Sequence, residues 1–463
     1  MGGVRRRGGA RGQTSRLSDV WRTRPQDIWN FIKKEPAAFW LINLYMFFEY
    51  VRPQSIYTSI AGVPWAGTLL GLAFLSVLFS GKGVRLPTAA SAMLVLYTVI
   101  LVASSLTAWS TEESFRWYWR YFNWVMLFVI IVNVVTTERR FFVFMLAFFL
   151  YCFKMSQHGA RGWLETGFGF RDWGVTGGPG WFQNSGEFGI QMCIFFPLSV
   201  GFVIAMWKHW GKWQRLFFLS FPVTAVMSMI ASSSRGALIG GGLVLAWMAL
   251  RSRQRVRAIL AAVVVVVVVI AVVPPEQKER FASAGEDKTS QSRITVWRNG
   301  LEIASQYPVL GIGFGNWSAY SRSYYGHPLL PHNIFIEAVA ELGYLGLFAF
   351  VLLIGSTFVV NFKTRKLVKT LPGDQAFIHQ MAHGLDGALI GFIGSGFFVT
   401  VLYYPFFWVN LAMTVALYVV AETKVREAGA GGAGRPAPVR GGAAPAPVAA
   451  GPVARRPGRG GLR

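Results

Sequence analysis

Apolar residues run along this chain in long blocks, separated by short basic connections. The blocks lack the wide polar face that a helix at the surface of a soluble protein keeps toward water. Twelve lie near residues 37–51, 64–80, 89–108, 118–135, 140–155, 185–206, 216–232, 236–250, 258–273, 334–360, 384–402 and 405–422. Most approach or exceed the length that crosses hydrocarbon as a helix, so the pattern predicts an all-α, polytopic membrane protein with about twelve transmembrane helices. From Ala261 to Val273 the chain is almost entirely valine, a strand former in water. In lipid a spanning segment must satisfy its own backbone, so a helix is predicted there.

Loop charge sets the orientation. One set of connections carries Lys82 and Arg85, Arg139 and Arg140, Lys208, Lys212 and Arg215. It continues through Arg251, Arg253, Arg255 and Arg257 to Lys363, Arg365, Lys366 and Lys369. The alternate connections are poorer in Lys and Arg for their length, so the dense set is expected in the cytoplasm together with both termini. Two longer segments, about 156–184 and 274–333, then fall on the outer, periplasmic face. Loops of that length in a compact bundle are usually functional. Residues 1–35 read as a disordered basic arm, 36–423 as the transmembrane domain, and 424–463, rich in Gly, Ala, Pro and Arg, as a disordered tail. Met1 to Lys34 has no short apolar core with a cleavage site, so the first span is expected to serve as the anchor.

Composition agrees with this picture. Hydrophobic residues make up 53% of the chain and charged residues only 14%, against about a quarter charged in soluble domains. The net charge of +24 resides in the tails and alternate loops rather than on one folded face. That distribution points to topology and to anionic membrane lipids as partners, and it excludes nucleic acid. Cys152 and Cys193 both lie in apolar runs and read as buried free thiols.

Three polar features lie near the outer face. Ser232-Ser233-Ser234-Arg235-Gly236 joins two apolar blocks with almost no loop. An arginine that close to hydrocarbon is costly unless it meets an anion or a watery cavity, or snorkels to headgroups. A second stretch, Ser290 to Glu302, reads as a helix capped by Ser290 or Ser292 and halted by Pro308 and the turn Gly311-Ile312-Gly313-Phe314-Gly315. Arg298 has Glu302 four residues on, which accounts for it as an ion pair. Arg293 has no such carboxylate and is the better candidate for an outside anion. The third feature is Pro331-His332-Asn333, where a histidine could take a proton from a hydroxyl or simply cap the next helix. The Gly-rich turn lacks the lysine and strand of a phosphate loop and reads as structural. Outer-face carboxylates are scattered and no histidines sit at ligand spacing, so no metal site or cofactor is expected.

Taken together these residues resemble the O-antigen ligase and O-antigen polymerase superfamily. The resemblance rests on Ser234-Arg235-Gly236-Ala237-Leu238, on Arg293 and Trp297 ahead of Tyr307-Pro308-Val309-Leu310-Gly311-Ile312-Gly313, and on His332-Asn333 followed by Gly343-Tyr344-Leu345-Gly346. It is strongest over about 180–360. It implies a metal-independent, inverting glycosyltransferase of the GT-C membrane type in the bacterial inner membrane. Such an enzyme moves a glycan from an undecaprenyl-pyrophosphate donor to a hydroxyl of lipid A core, protein or another glycan. On this chain Arg235 and Arg293 would hold the pyrophosphate and His332 would be the general base. Arg161 and Arg171 are weaker candidates for anion contacts, and Asn184 fits a recurrent family position. Ile239 stands where ligases often carry leucine, and the segment Arg161 to Asn184 is longer and more aromatic than the pattern. The His-Asn spacing favours a ligase over a polymerase, with protein O-oligosaccharyltransferase also open. A polysaccharide flippase or transporter is the rival from another class, although it would be expected to carry ionisable groups near mid-membrane.

Overall fold

A computed structural model describes residues 33–81, 83–169, 174–252, 254–272, 275, 278 and 288–433. Arg171 and the readings of 1–32 and 434–463 as disordered lie outside the described residues. The described residues form fourteen α-helices and no β-strand. In chain order the first seven are α1 (Ala37–Tyr50), α2 (Trp65–Leu78), α3 (Ala89–Leu106), α4 (Thr111–Val134), α5 (Glu138–Glu165), α6 (Ser185–Met206) and α7 (Lys212–Ala231). The rest are α8 (Arg235–Arg251), α9 (Arg255–Val272), α10 (Lys288–Gln306), α11 (Trp317–Tyr325), α12 (Ile334–Val368), α13 (Ala376–Gly396) and α14 (Pro405–Ala433).

A helix lies over every one of the twelve apolar blocks, the valine run included. Among the described residues six of them, α3, α5, α6, α7, α12 and α14, are long and apolar enough by themselves to cross a membrane. The chain is thus a polytopic membrane protein. Local signals start several of these helices. The hydroxyls of Thr88, Ser110, Thr137 and Ser234 each accept a backbone N–H three residues on, which satisfies donors that the first turn leaves open.

Three boundaries differ from the hydropathy pattern. Helix α5 continues ten residues past 155, to Glu165, because its polar last turns still form intrahelical bonds. Helix α14 continues to Ala433, and Lys424 within it is held by Glu138 at 2.6 Å and Gln375 at 2.8 Å. The block read as 384–402 is instead helix α13, ending at Gly396, followed by a non-helical link over 397–404. Apolarity alone could not mark that break, since the link is itself largely apolar, and irregular backbone is tolerated where protein packs against it, as at buried Val401 and Leu402.

Helix α6 lies at the centre of the bundle, packed against α7, α8 and α13. Both cysteines are buried free thiols. On the far half of the bundle Arg365 and Asp386 form a buried ion pair at 2.6 Å, with Asn361 donating to the other carboxylate oxygen.

The opposite end carries a smaller lobe of α10 and α11, whose core is Val296, Ile303, Ile312, Trp317, Tyr320 and Ala340. The Gly-rich turn joins this lobe to α12. Ile312 and Gly313 donate to the carbonyls of Ala340 and Glu341, and the Glu341 carboxylate accepts from the N–H groups of Gly315 and Trp317. Helix α12 opens at Gly343 (φ 66°, ψ −174°), so that Tyr344 N–H reaches the Pro308 carbonyl. A Cβ at Gly343 would overlap the Val309 carbonyl, and the left-handed φ disfavours any side chain. Gly343→Ala should therefore lower stability by about 1–3 kcal/mol, read as thermal unfolding in detergent. Gly355→Ala, in open space on the same helix, serves as comparator, and equal melting of the two would remove the requirement for the break.

Candidate functional site

Arg235, Arg293 and His332 come from three separate stretches and meet at the lobe end of the bundle. Arg235 opens α8 directly after a tight turn in which Ser233 is left-handed (φ 54°) and Ser234 caps the helix. The turn is backed by the segment after Gly174, where Val175 N–H donates to the Ala231 carbonyl at 2.8 Å. Arg235 is half-buried, and its Nη1 reaches Ser290 Oγ in the first turn of α10 at 3.5 Å. Lys288 and Thr289 are already helical, so Ser290 lies inside α10 rather than at its cap. Ser290 and Arg293 are three apart on one helix and share a face. Arg235 and Arg293 are thereby brought to one side of α10.

Arg293 acts in turn on His332. The imidazole pKa is pushed down from 6.5 to about 4, first by burial and then by the positive guanidinium of Arg293. His332 is thus a neutral proton acceptor at neutral pH. Its position is fixed through the backbone. Pro331 accepts from Trp297 Nε1 at 2.7 Å, and His332 N–H donates to Thr400 Oγ1 at 2.8 Å. Trp297 also packs edge-on against Phe397. His332 itself is left-handed (φ 46°), a conformation that costs a non-glycine residue about 1–3 kcal/mol when the surroundings impose it.

The cap of α12 is Asn333, whose Oδ1 accepts from Phe335 and Ile336 N–H. Helix capping therefore does not account for His332. The carboxylate of Glu302 lies with Gln306 and Tyr325, not in the intrahelical pair expected with Arg298. Its neighbour Tyr325, on α11, offers a hydroxyl that the linear spacing does not show.

The weaker candidates have local partners. Arg161 is exposed on α5 and faces Glu165 at 3.7 Å in an i,i+4 pair. Asn184 caps α6, with Glu187 accepting its backbone N–H, so local structure accounts for it. Among the described residues no group of three or more His, Cys, Asp or Glu side chains is arranged to hold a metal ion.

Two further residues do not stand out in the motifs above. Thr400 sits in a run that reads as the end of a span, and nothing there signals a hydrogen bond to position 332. Arg120 lies inside the block predicted as a span, in Trp117-Tyr118-Trp119-Arg120-Tyr121. A charge in an apolar block with no carboxylate three or four residues away was an available signal there.

Because Thr400 holds the His332 backbone, Thr400→Val should cost on the order of 1 kcal/mol through the stranded N–H, while Thr400→Ser keeps the bond. Unfolding curves of the two variants check this, and equal stability would dismiss the contact.

Residues 216–351 match the family model described as O-antigen ligase. No curated protein matches the chain. The matched stretch is less than a third of the sequence, yet it contains Arg235, Arg293, His332 and the Gly-rich turn with its partner Gly343. An O-antigen ligase domain at these residues supports a place in the O-antigen ligase and polymerase superfamily.

Proposed function

We propose that this protein is a membrane glycosyltransferase of the O-antigen ligase type, moving a glycan from undecaprenyl pyrophosphate to an acceptor hydroxyl. In this reading it crosses the bacterial inner membrane about twelve times in a GT-C-type arrangement, with both termini cytoplasmic and the lobe of α10 and α11 periplasmic. The observation that carries it is the meeting of two guanidinium groups and a neutral imidazole from distant stretches of chain. The match of residues 216–351 to the O-antigen ligase model supports the reaction class.

The chemistry follows from those groups. His332 takes the proton of the acceptor hydroxyl, and the oxygen attacks the anomeric carbon opposite the pyrophosphate. The bond from that carbon to the phosphate oxygen breaks with inversion. The leaving pyrophosphate takes the electron pair, and its growing charge is met by Arg235 and Arg293 as paired donors. An imidazolium beside Arg293 is unfavourable until an anion lies between them. The base is therefore strongest when the donor is bound.

Lipid A core, protein or a second lipid-linked glycan would serve as acceptor, and the last of these is the polymerase reaction. Purified protein offered each acceptor separately distinguishes them by product size. Movement of the donor across vesicles without bond formation would establish a flippase instead.

Arg235→Ala, Arg293→Ala and His332→Ala should each lower transfer by about 100-fold or more, with normal membrane insertion and amount. Transfer should persist in EDTA, and a loss restored by magnesium would overturn the metal-independent reading. The pH profile carries a sign. The base must be unprotonated, and its pKa is depressed in the free enzyme to about 4. The acid limb of kcat/KM should therefore lie well below the ordinary histidine range of about 6.5. Bound pyrophosphate offsets Arg293, so the acid limb of kcat should lie higher than that of kcat/KM. The opposite order would remove Arg293 from the donor contact.

A further inference from the structure

The link over 397–404 runs from the site just described to a second polar cluster. At its first end Phe397 packs on Trp297, and Thr400 holds His332. At its other end Tyr404 packs edge-on against Trp181 with ring centroids 4.8 Å apart. Beside them lies Arg120. Its guanidinium is stacked over Trp117 at 3.9 Å and stands 5.9 Å from the Trp181 ring.

This arginine is exposed on α4, where the polar first turns of the helix give way to its apolar half, and it pairs with no carboxylate among the described residues. The neighbouring acids are committed to other groups. Glu49 accepts from Trp181 Nε1 and faces Arg52, while Glu187 accepts from Asn184 N–H and lies against the Tyr404 hydroxyl. Arg52 is itself held, left-handed (φ 53°) and flat against the backbone of Gly180, where any Cβ would overlap it. Trp181 is thus fixed through its ring nitrogen, and the Arg120 cation is oriented by aromatic faces rather than neutralised. Half-buried Trp117, Trp181 and Tyr404 add flat apolar surface and a hydroxyl around that cation. A cation of this kind selects an anion, and the surrounding rings suit sugar faces.

We propose that Arg120, with Trp117, Trp181 and Tyr404, binds an anionic saccharide, the phosphate- or carboxylate-bearing part of the acceptor, while Arg235 and Arg293 take the donor. The assignment to the acceptor rests on the transferase reading above. Thr400 and Tyr404 are four residues apart, so their backbones are separated by at most about 14 Å. An oligosaccharide bridges that span, with its reacting hydroxyl at His332 and its anionic substituent at Arg120.

Binding without turnover separates this inference from the reaction itself. Maltotriose 6-phosphate, maltotriose and inorganic phosphate are titrated against the purified full chain in detergent, without donor, and tryptophan fluorescence is read. The phosphorylated trisaccharide should bind at least tenfold more tightly than either of the others. Arg120→Gln should abolish that preference, Arg120→Lys should retain part of it, and Arg293→Gln should leave it intact. If Arg120→Gln does not fold, Trp117→Leu, which releases the guanidinium from its stack, should weaken the preference in the same direction. Equal binding of the phosphorylated and neutral sugars by the unaltered protein overturns the proposal, as does a preference surviving in Arg120→Gln. A chain that transfers no glycan but shows the preference overturns the acceptor assignment and leaves the anionic-saccharide site standing.

Discussion

Peptide groups that leave a helix inside an apolar bundle must find partners within the protein, since lipid offers none. The lobe end of this molecule is organised by that requirement. The turn Gly311 to Gly315 gives its N–H groups to the Ala340 and Glu341 carbonyls and to the Glu341 side chain. Gly343 opens α12 so that Tyr344 can reach back to Pro308. These bonds anchor α10 to α12, and with it Arg293 to His332. The buried carboxylate of Glu341 is thus a backbone acceptor that positions the lobe.

The electrostatics of the site depend on that anchoring. Two guanidinium groups near one another repel, and an anion brought to them relieves that repulsion. At an effective dielectric constant near 20, a single charge pair at 4 Å is worth about 4 kcal/mol. An anion between Arg235 and Arg293 would therefore outweigh the repulsion it replaces. The neutral state of His332 belongs to the same balance, because the cation that would meet the pyrophosphate in the proposed reaction also repels a proton from the imidazole. Strain at Ser233 and His332 is localised where the three side chains meet, and it is sustained by Val175, Thr400 and Trp297 from neighbouring segments.

Much of this was legible in the residues. Long apolar blocks gave helices, and Arg235, Arg293 and His332 stood out because each is a polar group that its local surroundings do not explain. The link over 397–404 was hidden, since Phe397, Val399, Val401 and Leu402 are as apolar as the helix before them. Hydropathy reports where a segment prefers to be and says little about its backbone once protein encloses it. Thr400 went unnoticed for the same reason. Arg298 and Glu302 illustrate the opposite error, for i,i+4 spacing permits a pair but a neighbouring helix, here through Tyr325, can take the carboxylate. Arg161 and Asn184 had local partners at three and four residues, and those partners account for them.

The Arg365–Asp386 pair at the far end of the bundle has a mechanical consequence. Its two residues are 6% and 1% exposed and come from α12 and α13. Sliding one helix past the other by a turn, about 5.4 Å, would strand a charge in the core, at a cost of about 3–5 kcal/mol. That end of the molecule therefore behaves as a fixed root. Rearrangement costs less at the crown, where α12 is already divided at Gly343 and the pieces above it are joined by a few backbone bonds.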